Sequence, residues 1–193
     1  MKQLILASSS PRRKELLEKA GFTFSVVTSN YEEDMSLPLS PEDLAKFLSL
    51  GKARSVAESF QNAVILGADT FVVLGDMVLG KPKDIDEAKH MLRNLSGKKH
   101  NVITGFSLID TTNNQAYQDV DISDVYIKHL SEEDIIQYIL THSVLDKAGA
   151  YAIQDMNETH IERFVGEYDT VVGLPIKKIT VYLQKFGIVP VAK

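Results

Sequence analysis

The chain has 193 residues, 44% of them hydrophobic and 24% charged, and a net charge of −5, which is ordinary usage for a globular protein with a sizeable core. That acidic balance argues against a nucleic-acid-binding protein, and no apolar run reaches the roughly 18 residues of a membrane span. There are no cysteines, which excludes disulfides and thiolate metal sites; a single lysine before the first apolar run is too little for a signal peptide, so a cytoplasmic location is expected.

Leu4 to Ala7 reads as a buried strand, followed by Ser8-Ser9-Ser10-Pro11-Arg12-Arg13. Ser10 is a natural N-cap, Pro11 suits the first helical position, and Gly21 follows the last turn. Two arginines in a first turn oppose the helix dipole, at a few tenths of a kcal/mol each, unless an anion is bound there. A strand that runs through hydroxyl residues into a helix start presents backbone N–H groups to such an anion, and arginine forks match phosphate oxygens in pairs.

Phe22 to Thr28 alternates like a second strand, and the acidic triplet Glu32-Glu33-Asp34 follows. Ser40-Pro41 opens a helix to about Phe60. Ala63 to Leu66 is expected to be a strand ending at Gly67-Ala68-Asp69-Thr70, which would place a carboxylate at a strand end, where ligands collect in α/β proteins. Such an aspartate can hold a divalent cation or take a proton from water. Phe71 to Leu74 and Met77 to Leu79 form a plausible hairpin around Gly75-Asp76, returning at Gly80-Lys81-Pro82, where Lys81 could come back beside Asp69.

Helical spacing runs from Asp84 to Leu95, strands from Val102 to Ile109 and Gln115 to His129, and a capped helix from Ser131 to Leu140. The small-residue run Asp146 to Ile153 allows close approach of another backbone or a flat ligand, and Gln154 carries the donor and acceptor that a base edge needs. Ile161 to Phe164 and Thr170 to Val172 look extended, and Pro175 to Phe186 closes the chain as a helix. Helices intermixed with hairpins predict an α/β fold with a mixed sheet, in one domain over 1–193. Carboxylates beside a phosphate cradle suit metal-assisted phosphoryl chemistry, since Mg²⁺ needs only one or two carboxylates besides phosphate and water. No paired histidines, Gly-rich phosphate loop or serine elbow offers another chemistry.

Together, LILASSSPRRKELL, the Glu32-Glu33 pair, GADT, GKP, LSGKKH, DKAGAYAIQ and VVGLP resemble the Maf family of nucleoside triphosphate pyrophosphatases, in family order and over almost the whole chain. The resemblance implies a mixed α/β fold of two lobes around a central cleft, similar to the inosine triphosphate pyrophosphatases. It implies attack of water on the α-phosphorus, giving a nucleoside monophosphate and pyrophosphate. Asp69 would be the catalytic acid/base; Ser8, Arg12, Arg13, Lys52 and Lys81 would surround the triphosphate; Glu33 with Asp69 would hold Mg²⁺ or Mn²⁺. Lysine and arginine near Asp69 are expected to lower its pKa.

Arg12, Thr70 and Gln154 match the branch acting on dTTP and UTP. A purine or 7-methyl-GTP pyrophosphatase, or a non-catalytic nucleotide-binding regulator of septum formation, is the alternative. Asp155 stands where the family usually has glycine, which could alter the loop if that position needs positive φ. The expected partner is a small-molecule triphosphate, with no nucleic acid and no membrane, and the apolar Phe71 to Leu74 leaves room for a homodimer.

Overall fold

A computed structural model describes residues 2–191. In chain order the elements are β1 (Gln3–Ala7), α1 (Pro11–Lys19), β2 (Ser25–Val27), α2 (Pro41–Ala57), β3 (Ala63–Leu74), β4 (Met77–Leu79), α3 (Ile85–Leu95), β5 (Lys99–Asp110), β6 (Gln115–Ile127), α4 (Glu132–Thr141), a 3₁₀ turn (Ala148–Ala150), β7 (Ile161–Val165), α5 (Tyr168–Val172) and α6 (Ile176–Gln184). The strands form one mixed seven-stranded sheet in the order β2-β1-β3-β5-β6-β7, with β4 on β3. β1 pairs parallel to both β2 and β3, whereas β4 runs antiparallel to β3 and β7 antiparallel to β6.

Helix starts follow local chemistry. Ser10, Ser40, Asp84 and Ser131 all accept an N–H from three residues on, and Ser131 with Asp134 completes a capping box. Each such cap is worth about 1 kcal/mol.

The chain divides into two compact units, passing from the first to the second at Asp69/Thr70, back at Ile103/Thr104, out again at Asp121/Ile122 and back at Val172/Gly173. In the first, α2 lays Ala53 and Val56 on Ile5, Ala7 and Ile65. In the second, Ala88, Met91, Leu92 and Leu95 of α3 pack on Val72 and Leu74. Full burial of each such Leu or Ile contributes about 1.5–3 kcal/mol.

Two expectations need correcting. GADT does not end a strand: β3 runs unbroken for 12 residues, so Asp69 is a mid-strand residue. The run is buried almost throughout, and its apolar flanks on both sides hold the small residues in the ladder. Thr170 to Val172 are helical, because the Glu167 carbonyl accepts from both Thr170 and Val171 and closes a turn. Phe71 to Leu74 is buried within this chain.

Candidate active site

The first unit builds a charged cluster around β1, α1, α2 and β3. Side chains alternate along a strand, so Ile65, Gly67 and Asp69 share the face of β3 that α2 covers. Gly67 sets the spacing. A Cβ there would stand 2.3 Å from the Ser49 carbonyl oxygen and 2.8 Å from the Ala53 nitrogen, so only glycine lets α2 lie this close. At that spacing the Lys52 ammonium hydrogen-bonds Asp69 Oδ1. The same ammonium pairs with Glu33 Oε1 at 2.8 Å. The acidic triplet reaches it because the Tyr31 ring lies directly against Gly51 on α2.

The opening turn of α1 supplies the other cations. Ser8 Oγ accepts from the Ser10 N–H at 3.1 Å and from an Arg13 terminal nitrogen at 3.3 Å, while Arg13 Nε donates to the Gly173 carbonyl at 2.8 Å. Burial lowers the Arg13 pKa, the Asp69 and Glu33 charges oppose that, and Arg12 adds to it. Those couplings place Arg13 within electrostatic reach of both carboxylates.

Asp69 is 4% exposed. Its pKa lies above the usual carboxylate range: burial is the largest cause, Glu33 adds to it, and Lys52 and Arg13 pull the other way. This reverses the expectation that neighbouring cations would lower it. Removing the carboxylate from water costs more than the cations return, and a raised pKa makes it a stronger proton acceptor.

Ser8, Arg13, Glu33, Lys52 and Asp69 are thus joined by hydrogen bonds, ion pairs and charge interactions, with Arg12 beside Arg13 on α1. Thr70, Lys81 and Gln154 belong to the second unit. There, the hairpin pairs Val72 with Leu79 and returns the chain at Gly80, whose carbonyl accepts the Gly149 N–H at 3.0 Å, tying GKP to DKAGAY. Lys81 and Gln154 are exposed and Thr70 half-buried. Gln154 sits between buried Ile153 and Met156.

Asp155 does not have positive φ; among the described residues only Asn114 and Ala150 do so without being glycine. Its carboxylate instead pairs at 3.4 Å with buried Lys147, and its N–H donates to the Ala152 carbonyl at 3.1 Å. The His100 ring Nε2 bonds the Tyr151 hydroxyl at 2.6 Å, so LSGKKH and DKAGAY meet in the core of this unit. No local pattern signals the Arg13–Gly173 bond, because its partners are 160 positions apart.

Among the described residues no group of three or more His, Cys, Asp or Glu could hold an ion. Two carboxylates converge on one ammonium, however, and two hard oxygen donors completed by phosphate and water suit Mg²⁺ or Mn²⁺.

A family model described as "Maf-like protein" matches residues 3–186. The chain belongs to the Maf-like family. It is 46% identical over 185 residues to a protein of Alkaliphilus oremlandii named dTTP/UTP pyrophosphatase, covering 95% of this chain and 96% of that one. Proteins of a Geobacillus species (42% identical, 97% of this chain and 100% of that one) and of Thermoanaerobacter pseudethanolicus (46% identical, 95% and 96%) carry the same name. A HAM1 protein from Coxiella burnetii aligns over 96% of this chain and 100% of its own with a TM-score of 0.51 at 13% identity, a likeness of fold alone. No described helix of this Maf-like chain is long and apolar enough to cross a membrane.

Proposed function

We propose that this Maf-like protein is a hydrolase of acid anhydrides that cleaves dTTP and UTP to the monophosphate and pyrophosphate. One observation carries the reading: a buried, proton-seeking carboxylate, Asp69, held by Lys52 in the unit that also presents the Ser8–Arg13 turn. The relatives' shared name supports the substrate class.

In this reading Arg12, Arg13 and Ser8 bind the phosphate chain, and the cost of two cations at a helix start becomes a gain when about four negative charges arrive. Lys52 fixes the Asp69 side chain and neutralises charge beside it. Asp69 takes the proton from the water that attacks the α-phosphorus, a role that contributes about 10²–10⁴-fold. A bound Mg²⁺ or Mn²⁺, held by Asp69 and Glu33, would neutralise phosphate charge and polarise the reacting bond. The roles of the second-unit residues rest on the resemblance: Lys81 carries pyrophosphate charge, and Thr70 and Gln154 read the base. The partner is a small-molecule triphosphate of the cytoplasmic pool.

The deciding experiment is a panel of nucleoside triphosphates with Mg²⁺ or Mn²⁺, scored for pyrophosphate. Highest kcat/KM for dTTP and UTP is expected. Release of orthophosphate alone, or binding with no turnover of any triphosphate, would reject the proposal.

A further inference from the structure

The VVGLP stretch has no role in the chemistry above, yet its glycine reaches the site. We propose that Gly173 is a positioning residue, whose carbonyl oxygen orients the Arg13 guanidinium for a phosphate group. This deepens the reading of the site as a triphosphate cradle and rests on it.

Three observations converge. Arg13 Nε donates to the Gly173 carbonyl at 2.8 Å, and a terminal nitrogen of the same group donates to Ser8 Oγ at 3.3 Å. A guanidinium is a planar fork, so anchors on two of its nitrogens fix both the position and the tilt of the plane. The Gly173 backbone has φ +121, a region that side-chain-bearing residues rarely adopt. That torsion is held on its far side by Leu174, which is fully buried, and by Pro175 at the start of α6. The Gly173 carbonyl is therefore presented by backbone that favours glycine, and the fold delivers it to Arg13.

A lysine at position 13 keeps the charge but has no Nε–H in a fork, so it cannot be aimed this way. The two changes should therefore not add. The test is a double-mutant cycle on the full chain with Gly173→Ala, Arg13→Lys and the pair, measured twice: as KM and kcat for dTTP, and as the dissociation constant of inorganic tripolyphosphate, which needs no turnover. Each single change should weaken tripolyphosphate binding about tenfold, and the pair by no more than about twofold beyond either, because both remove one aimed fork. A loss near a hundredfold in the pair would overturn the proposal, since Gly173 would then act independently of Arg13.

If Gly173→Ala does not fold, the unaltered protein still decides. The Arg13 Nε–H resonance, assigned by its disappearance in Arg13→Lys, should exchange slowly with solvent; fast exchange overturns the assignment. Failure of every triphosphate to turn over would remove the proposed reaction while leaving the tripolyphosphate cycle readable.

Discussion

Lys52 Nζ stands 2.8 Å from Glu33 Oε1 while the same ammonium bonds Asp69, so a single lysine holds two carboxylates of unequal exposure. Asp69→Asn keeps the shape and removes the proton acceptor. It should cut kcat for dTTP about 10²–10⁴-fold with little change in tripolyphosphate affinity. Lys52→Met leaves a buried carboxylate without its partner and should lower stability in denaturant by about 3 kcal/mol, as well as the rate. Undiminished turnover in Asp69→Asn would remove it from the mechanism.

Metal dependence follows from the same pair. Chelation with EDTA should abolish pyrophosphate release, and Mg²⁺ or Mn²⁺ should restore it. Glu33→Gln should raise the metal concentration for half-maximal rate about tenfold, the scale expected when one of few oxygen donors is weakened. A rate indifferent to EDTA would exclude the ion.

Gly67→Ala tests how the site is spaced. Its Cβ would meet the Ser49 carbonyl oxygen at 2.3 Å and the Ala53 nitrogen at 2.8 Å, both backbone atoms of α2 that cannot swing aside. Calorimetry should show a lower Tm, corresponding to about 1–3 kcal/mol of overpacking, and kcat should fall because Lys52 moves with the helix. Wild-type stability and rate in this variant would contradict the close approach.

His100 makes stability depend on pH. Its ring is 2% exposed and burial lowers its pKa to about 4, whereas the unfolded chain titrates near 6.5. Between those values the unfolded state binds the extra proton, so stability is complete above about pH 6.5 and is lost as pH falls toward 4, by about 3 kcal/mol from this residue. Urea unfolding should show that loss, and His100→Gln should flatten it. An identical pH slope in the variant would remove His100 as the cause.

Asp155 pairs with Lys147 next to the exposed Gln154, so it should steady the side chain proposed to read the base. Asp155→Gly should lower the ratio of kcat/KM for dTTP over GTP by about three- to tenfold, the scale of one modest polar contact. Gln154→Ala should lower it further. A ratio unchanged in both would separate this loop from base choice.

The sequence by itself determined what neighbours along the chain decide. Ser10 before Pro11 and Ser40 before Pro41 start helices because caps act within three residues, and Gly75-Asp76 turns a hairpin because φ is a local property. Motif order sufficed to point to the family. Tertiary structure decided what depends on residues far apart. Asp69 became a mid-strand residue because flanking apolar side chains were buried on both sides, and its pKa rose because α2 excludes water, neither of which Gly-Ala-Asp-Thr encodes alone. The tie between Arg13 and Gly173 appeared only when chain ends 160 positions apart were brought together, since a hydrogen bond is set by distance in space and leaves no periodicity in sequence.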